Sequence, residues 1–112
     1  MARRKVDFDA VREIGLELPD VVDATTGRGA ALKLRGRILA CKAIHRSAEP
    51  SSLMIRVGSV ERERLLAADP AVYYLTDHYE KHGCILLRLD RVTRTALRNT
   101  LKSGWRFVME NT

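Results

Sequence analysis

Four cationic residues, Arg94, Arg98, Lys102 and Arg106, recur at every fourth position near the end of the chain, with Arg91 just ahead of them. On a helix this spacing stacks them along one edge, within about 18 Å at a rise of ~1.5 Å per residue. Like charges four apart repel by about 0.2–0.5 kcal/mol per pair, and no acidic residue between Arg91 and Arg106 relieves them. An anionic partner, such as a nucleic-acid backbone, would. A solvated face that complements the negative end of the helix dipole accounts for the same residues without a partner.

A second basic group, Lys33, Arg35, Arg37, Lys42, Arg56 and Arg88, falls in strand-like runs, several of its members on the outward side of an alternation. Together they would give an open sheet face or its hairpin tips a positive field. Such residues can contact phosphates and supply non-specific affinity. They also suit a bare sheet face that must stay polar and resist edge pairing.

Other constellations carry less. His78, His82 and Cys84 lie close together, but Gly83 and the flanking strands make a polar turn of that stretch. No Cys-x2-Cys pair completes a closed zinc site. There is no Gly-x-Ser-x-Gly, Walker loop or dinucleotide fingerprint. Gly27-Arg28-Gly29 opens a strand rather than a helix, a poor phosphate cradle. We expect no catalysis, no cofactor and no metal.

The elements that must position these residues follow from periodicity. Asp7 caps a helix from Phe8 to Leu18, whose Phe8, Val11, Ile14, Gly15 and Leu18 share one face; Pro19 ends it. Strands follow at 21–26, 30–35 and 38–44, with a hairpin corner at Gly36-Arg37 and a polar loop over 45–52. A fourth strand over 53–57 puts Leu53, Ile55 and Val57 inward, Met54 and Arg56 outward. Ser59 caps a helix from Val60 to Ala68, and Asp69-Pro70 stops it. After a short run at 71–76 and a polar turn at 77–83, Cys84 to Asp90 forms the last strand. Ile85, Leu87 and Leu89 lie on one of its faces, Leu86 and Arg88 on the other. Thr93 caps a final helix from Arg94 to Met109 with the apolar stripe Leu97, Leu101, Trp105 and Val108. Gly104 costs that helix ~1 kcal/mol relative to Ala. The order α-β-β-β-β-α-β-β-α predicts an α+β fold: an antiparallel sheet with helices packed on one face and the other face partly open.

Composition bounds the rest. The 112 residues predict one domain, an N-terminal basic arm over 1–6 followed by a folded unit over 7–110. Hydrophobic residues make up 46% and charged residues 30%, so a packed core rather than disorder is expected. Lys and Arg number 20 against 14 Asp and Glu, a net charge of +6 that favours anionic partners. Aromatic residues, at 5%, are too few for a single-strand stacking platform. No run of ~18 apolar residues spans a membrane, and Asp7 and Asp9 interrupt any export signal. Cys41 and Cys84 are expected as reduced, buried thiols in a cytoplasmic protein.

Several segments in order resemble the MmcQ/YjbR family of small bacterial proteins. They are Leu16-Glu17-Leu18-Pro19-Asp20-Val21, Gly29 to Ala40, Leu53-Met54-Ile55-Arg56-Val57 into Glu61–Leu66, and Ala68-Asp69-Pro70-Ala71-Val72. Tyr79, His82 and Gly83 follow, then Leu89-Asp90 and Trp105-Arg106-Phe107-Val108. The similarity runs over roughly residues 7 to 109. It implies a CyaY-like fold and a DNA-binding protein with a double-wing motif. Joined to the charge pattern, it gives a DNA-binding expectation resting on Lys33, Arg35, Arg37, Lys42, Arg88, Arg94, Arg98, Lys102 and Arg106. The alternative is an interaction or small-ligand domain that docks an acidic partner. Oligomeric state is not legible.

Overall fold

The computed structural model describes residues 6–111; the basic arm expected at the N-terminus lies almost wholly outside them. Helix α1 runs Phe8–Gly15, with the Asp7 carboxylate accepting the Ala10 N–H at 3.0 Å. It ends three residues before the expected Leu18. The Glu17 and Leu18 N–H groups reach back only three residues, to Ile14 and Gly15, so the chain tightens into a turn before Pro19.

The strands are β1 (Val21–Asp23), β2 (Ala31–Leu34), β3 (Arg37–Lys42), β4 (Ser52–Arg56), β5 (Tyr73–Tyr74) and β6 (Cys84–Arg88). They form one antiparallel sheet in the order β1-β2-β3-β4-β6-β5. β1 stops early because the Asp23 carboxylate accepts the Thr25 N–H at 2.9 Å, diverting the chain into the Thr26–Gly29 turn. Between β2 and β3 the register slips by one residue at Leu32/Lys33. Leu39 and Ala40 therefore both pack into the main core.

Helix α2 (Ser59–Ala68) begins at Ser59 itself, with Gly58 as its cap at φ 82 and no side-chain capping bond. The expected Ser59 cap thus gives way to a glycine, and residue 58 has no room for a side chain, since a Cβ there would sit 2.4 Å from the Phe107 ring. A fourth helical element, α3 (Asp77–Glu80), occupies the expected polar turn. Helix α4 (Arg94–Glu110) starts as predicted, the Thr93 hydroxyl accepting the Ala96 N–H at 3.0 Å.

α1 and α4 pack together on one sheet face. The main core between them includes Leu32, Leu34, Leu53, Ile55, Ile85, Leu87, Leu97 and Leu101. The second face is also apolar. Met54, Tyr79, Cys84 and Leu86 form a smaller buried cluster there, flanked by Ile38, Cys41, Ala48 and Tyr74. Met54, read as outward from its alternation, is buried beneath this cover.

Candidate functional site

The α4 ridge is held rigidly. Where α4 crosses the sheet, Gly104 is buried so closely that a Cβ would lie 2.7 Å from the Arg56 carbonyl oxygen. Thr100 donates to the Ala96 carbonyl at 2.8 Å and shares a 2.6 Å hydrogen bond with the Tyr73 hydroxyl, tying the helix to β5. Near its C-terminal end, the Trp105 indole N–H donates to the Pro19 carbonyl at 2.8 Å.

Of the four stripe residues, Arg94 pairs with Glu13 of α1 at 3.3 Å. Arg98 is half-buried, Lys102 and Arg106 exposed. These three have no ion-pair or hydrogen-bond partner among the described residues. Arg35, in the β2–β3 turn at φ 52, lies 3.9 Å from Asp20. Because Trp105 binds Pro19 and Arg35 meets Asp20, the C-terminal end of the ridge and the Arg35-Gly36-Arg37 tip gather around one turn. In the sequence these are separate groups; the Trp105–Pro19 bond, which joins residues 86 apart, brings them together.

The remaining strand cations do not form one field. Lys33 is exposed opposite Ile38 on the second face. Lys42 is paired with Leu53, which places it on the helix face, its ammonium 5.8 Å from the Phe8 ring centre. Arg37, opposite Leu34, also stands on the helix side. Arg88 is engaged internally. Its guanidinium donates to Glu49 at 2.7 and 3.0 Å and to the Pro70 and Ala71 carbonyls, and it lies 4.3 Å from the Tyr74 ring centre. The hydrogen bonds to Arg88 hold the Glu49 carboxyl below its usual range. Arg56 donates to the carbonyls of Ile38 and His82. The expected single positive field is thus corrected: much of that face is apolar, Arg56 and Arg88 bind its own loops, and Lys33 and Arg28 stand there without a side-chain partner among the described residues.

What that face carries instead is a cleft of about 430 Å³. The Thr26–Gly29 turn forms one side and α3 with His82 the other; Ile38, Cys41 and Met54 line it from the sheet. Tyr79 anchors the α3 side, its hydroxyl accepting the His45 N–H at 3.1 Å. The His45 and His78 rings stack 3.6 Å apart, with His82 5.7 Å from His78. Partial desolvation, then the neighbouring His45, His82 and Lys81 charges, keeps His78 below the ordinary histidine value. Arg28, whose Gly27-Arg28-Gly29 segment makes a poor phosphate cradle by itself, joins the cleft only because the cleft assembles from segments distant along the chain. Cys84 stands apart from the histidines, its thiol donating to the Tyr79 carbonyl at 3.4 Å and pushed up to about 11, chiefly by burial. Burial likewise raises Cys41. Both are free thiols, and among the described residues no group of three or more His, Cys, Asp or Glu side chains is placed to hold a metal.

The architecture is thus an α+β sandwich, a six-stranded antiparallel sheet carrying its long helices on one face. Among solved structures it is similar to Deinococcus radiodurans protein DR2400, whose crystal structure is described with the domain DUF419. The TM-score is 0.74 at 20% identity, over 98% of this chain and 83% of that one. This likeness is one of fold. No family model matches the chain, and no curated protein matches it. No helix among the described residues is long and apolar enough to cross a membrane.

Proposed function

We propose that the chain is a cytoplasmic DNA-binding protein of the MmcQ/YjbR type, without catalysis, gripping the duplex backbone through α4 and the adjoining hairpin tip. The observation that carries this reading is the set Arg98, Lys102 and Arg106. They are three cations on one rigid helix, without partners among the described residues, and they end beside Arg35 and Arg37. Such a ridge meets phosphates spaced along a backbone and reads no base by itself. Arg88, paired with Glu49, and Lys42, on the helix face over Phe8, are outside the proposed interface.

Binding to a labelled random duplex across a salt series tests it, with a basic protein of similar charge as control. Wild type should bind more tightly than the control. The triple variant Arg98→Gln, Lys102→Gln, Arg106→Gln should flatten the log–log salt slope by about 2–3, at ~0.9 for each phosphate no longer neutralised. An unchanged slope removes the ridge from the interface, and binding no tighter than the control overturns the reading. The cleft on the opposite face favours, for that separate surface, a small ligand over a polymer.

A further inference from the structure

We infer that the cleft between the Thr26–Gly29 turn and α3 is a binding site for a small organic anion, one with an apolar chain or ring and a single acidic head. This surface is independent of the α4 ridge, and the inference does not rest on the DNA-binding proposal.

Three observations converge. First, size: about 430 Å³ lies within the roughly 300–1,000 Å³ of small-molecule sites. Second, lining: Ile38, Met54, Ala30 and Ala31 present hydrocarbon, and Ile44 stands at the cleft with 60% of its surface in water. An exposed isoleucine beside an apolar floor gains by being covered. Third, charge: none of the lining residues is acidic, whereas Arg28, Arg56, His78 and His82 all line the cleft. Arg56 is held in place by the Ile38 and His82 carbonyls, bonds that use its Nε and one terminal nitrogen and leave the other terminal nitrogen unspent. The Arg28 side chain has no partner among the described residues. A guanidinium held in place and a second one without a partner, both lining one cleft, suit an acidic head group, which accepts several charge-assisted bonds at once. Lys42 also borders the cleft, but its ammonium is drawn away to 5.8 Å from the Phe8 ring centre. Apolar lining draws a hydrocarbon body, and the unbalanced positive charge rejects neutral and cationic analogues of the same shape.

The test uses the full chain and the fluorescent sulfonate 8-anilinonaphthalene-1-sulfonate, with neutral N-phenyl-1-naphthylamine as its uncharged counterpart and dodecanoate as competitor. Wild type should bind one sulfonate saturably, release it to dodecanoate and bind the neutral amine at least about tenfold more weakly. Arg28→Gln with Arg56→Gln should remove that preference while leaving the neutral amine within about twofold; a purely structural role for Arg56 would weaken both probes equally. Ala31→Trp, opposite Cys41, should fill the cleft and abolish both. Should that variant fail to fold, a bulky maleimide on Cys41 of the native protein blocks the same space, since Cys84 is fully buried. The ridge variant Arg98→Gln, Lys102→Gln should bind the sulfonate like wild type. Sulfonate binding that survives Cys41 blockade, equal affinity for the neutral amine, or loss in the ridge variant alone would each overturn the inference.

Discussion

Gly104→Ala should destabilise this protein although alanine is the better helix former. On an exposed helix the change would gain about 1 kcal/mol. Here the new methyl carbon would lie 2.7 Å from the Arg56 carbonyl oxygen, 3.0 Å from the Ile55 Cγ2 and 3.2 Å from the Leu39 Cδ1. The side-chain carbons can give by a few tenths of an ångström, but the carbonyl belongs to β4, which is hydrogen-bonded between β3 and β6. α4 must therefore lift off the sheet. Overpacking of this kind costs about 1–3 kcal/mol, and with an immobile backbone neighbour the upper half of that range applies. Set against the helix gain, the net loss is about 1–2 kcal/mol. For a domain of this size that lowers the melting temperature by roughly 4–8 °C. Thermal unfolding followed by circular dichroism reads it, with Asn99→Ala on the exposed side of α4 as the control. That control should stabilise by about half a kcal/mol. If Gly104→Ala melts above wild type, as the control should, α4 does not approach the sheet this closely, and the rigid ridge argued above loses its basis.

Three further outcomes follow from the second face. Tyr79→Phe removes the acceptor of the His45 N–H and should cost about 0.5–1.5 kcal/mol, read by urea unfolding; no loss would mean water replaces the hydroxyl freely. His78 titrates below its ordinary value of 6.5 when folded, so the unfolded chain binds more protons as pH falls through that region. Its contribution is complete above about pH 6.5 and is lost as pH drops through the lower folded value. The melting temperature should thus decline from pH 7 to 5, and less steeply in His78→Asn; equal slopes would contradict the stacked arrangement. Iodoacetamide at pH 8 should modify Cys41 alone in the native protein and both cysteines in denaturant, as mass spectrometry would count. Cys84, fully buried with its thiol near 11, offers neither access nor thiolate.

The main core was legible because its periodicities are simple. The Leu97, Leu101 and Val108 stripe, the Thr93 cap and the alternation of Ile85, Leu87 and Leu89 all stand as read. The second face was hidden for an identifiable reason. Ile85 and Leu86, or Met54 and Ile55, are neighbours buried on opposite faces, so the strand is a continuous apolar run without contrast. Its cover, α3, is four residues long and polar apart from Tyr79, which no helical periodicity reveals. Lys42 shows the sharpest failure. Alternation from Leu39 would turn Lys42 outward. The slip opposite Leu32/Lys33 instead puts both Leu39 and Ala40 inward and reverses Cys41 and Lys42. One extra residue moved a candidate DNA-binding side chain to the other side of the sheet and brought Cys41 to the cleft.

Net charge alone could not have separated the two surfaces. The excess of +6 counts Arg88, Arg94, Arg12 and Arg64 on the same terms as Arg106, yet each of those four is matched to a carboxylate. A matched arginine presents a much weaker field to a partner and must break its bond to meet one. Among the cations without a carboxylate partner, two sets stand out. Arg98, Lys102 and Arg106 lie along the outer helix, and Arg28 lies with the half-used Arg56 across the sheet. The first set is a line on a convex element, which suits a polyanion with repeated charges. The second flanks a concavity with an apolar floor, which suits a single charge on a hydrocarbon body. The shape of the surface under each set of cations, rather than their number, is what the two proposals rest on.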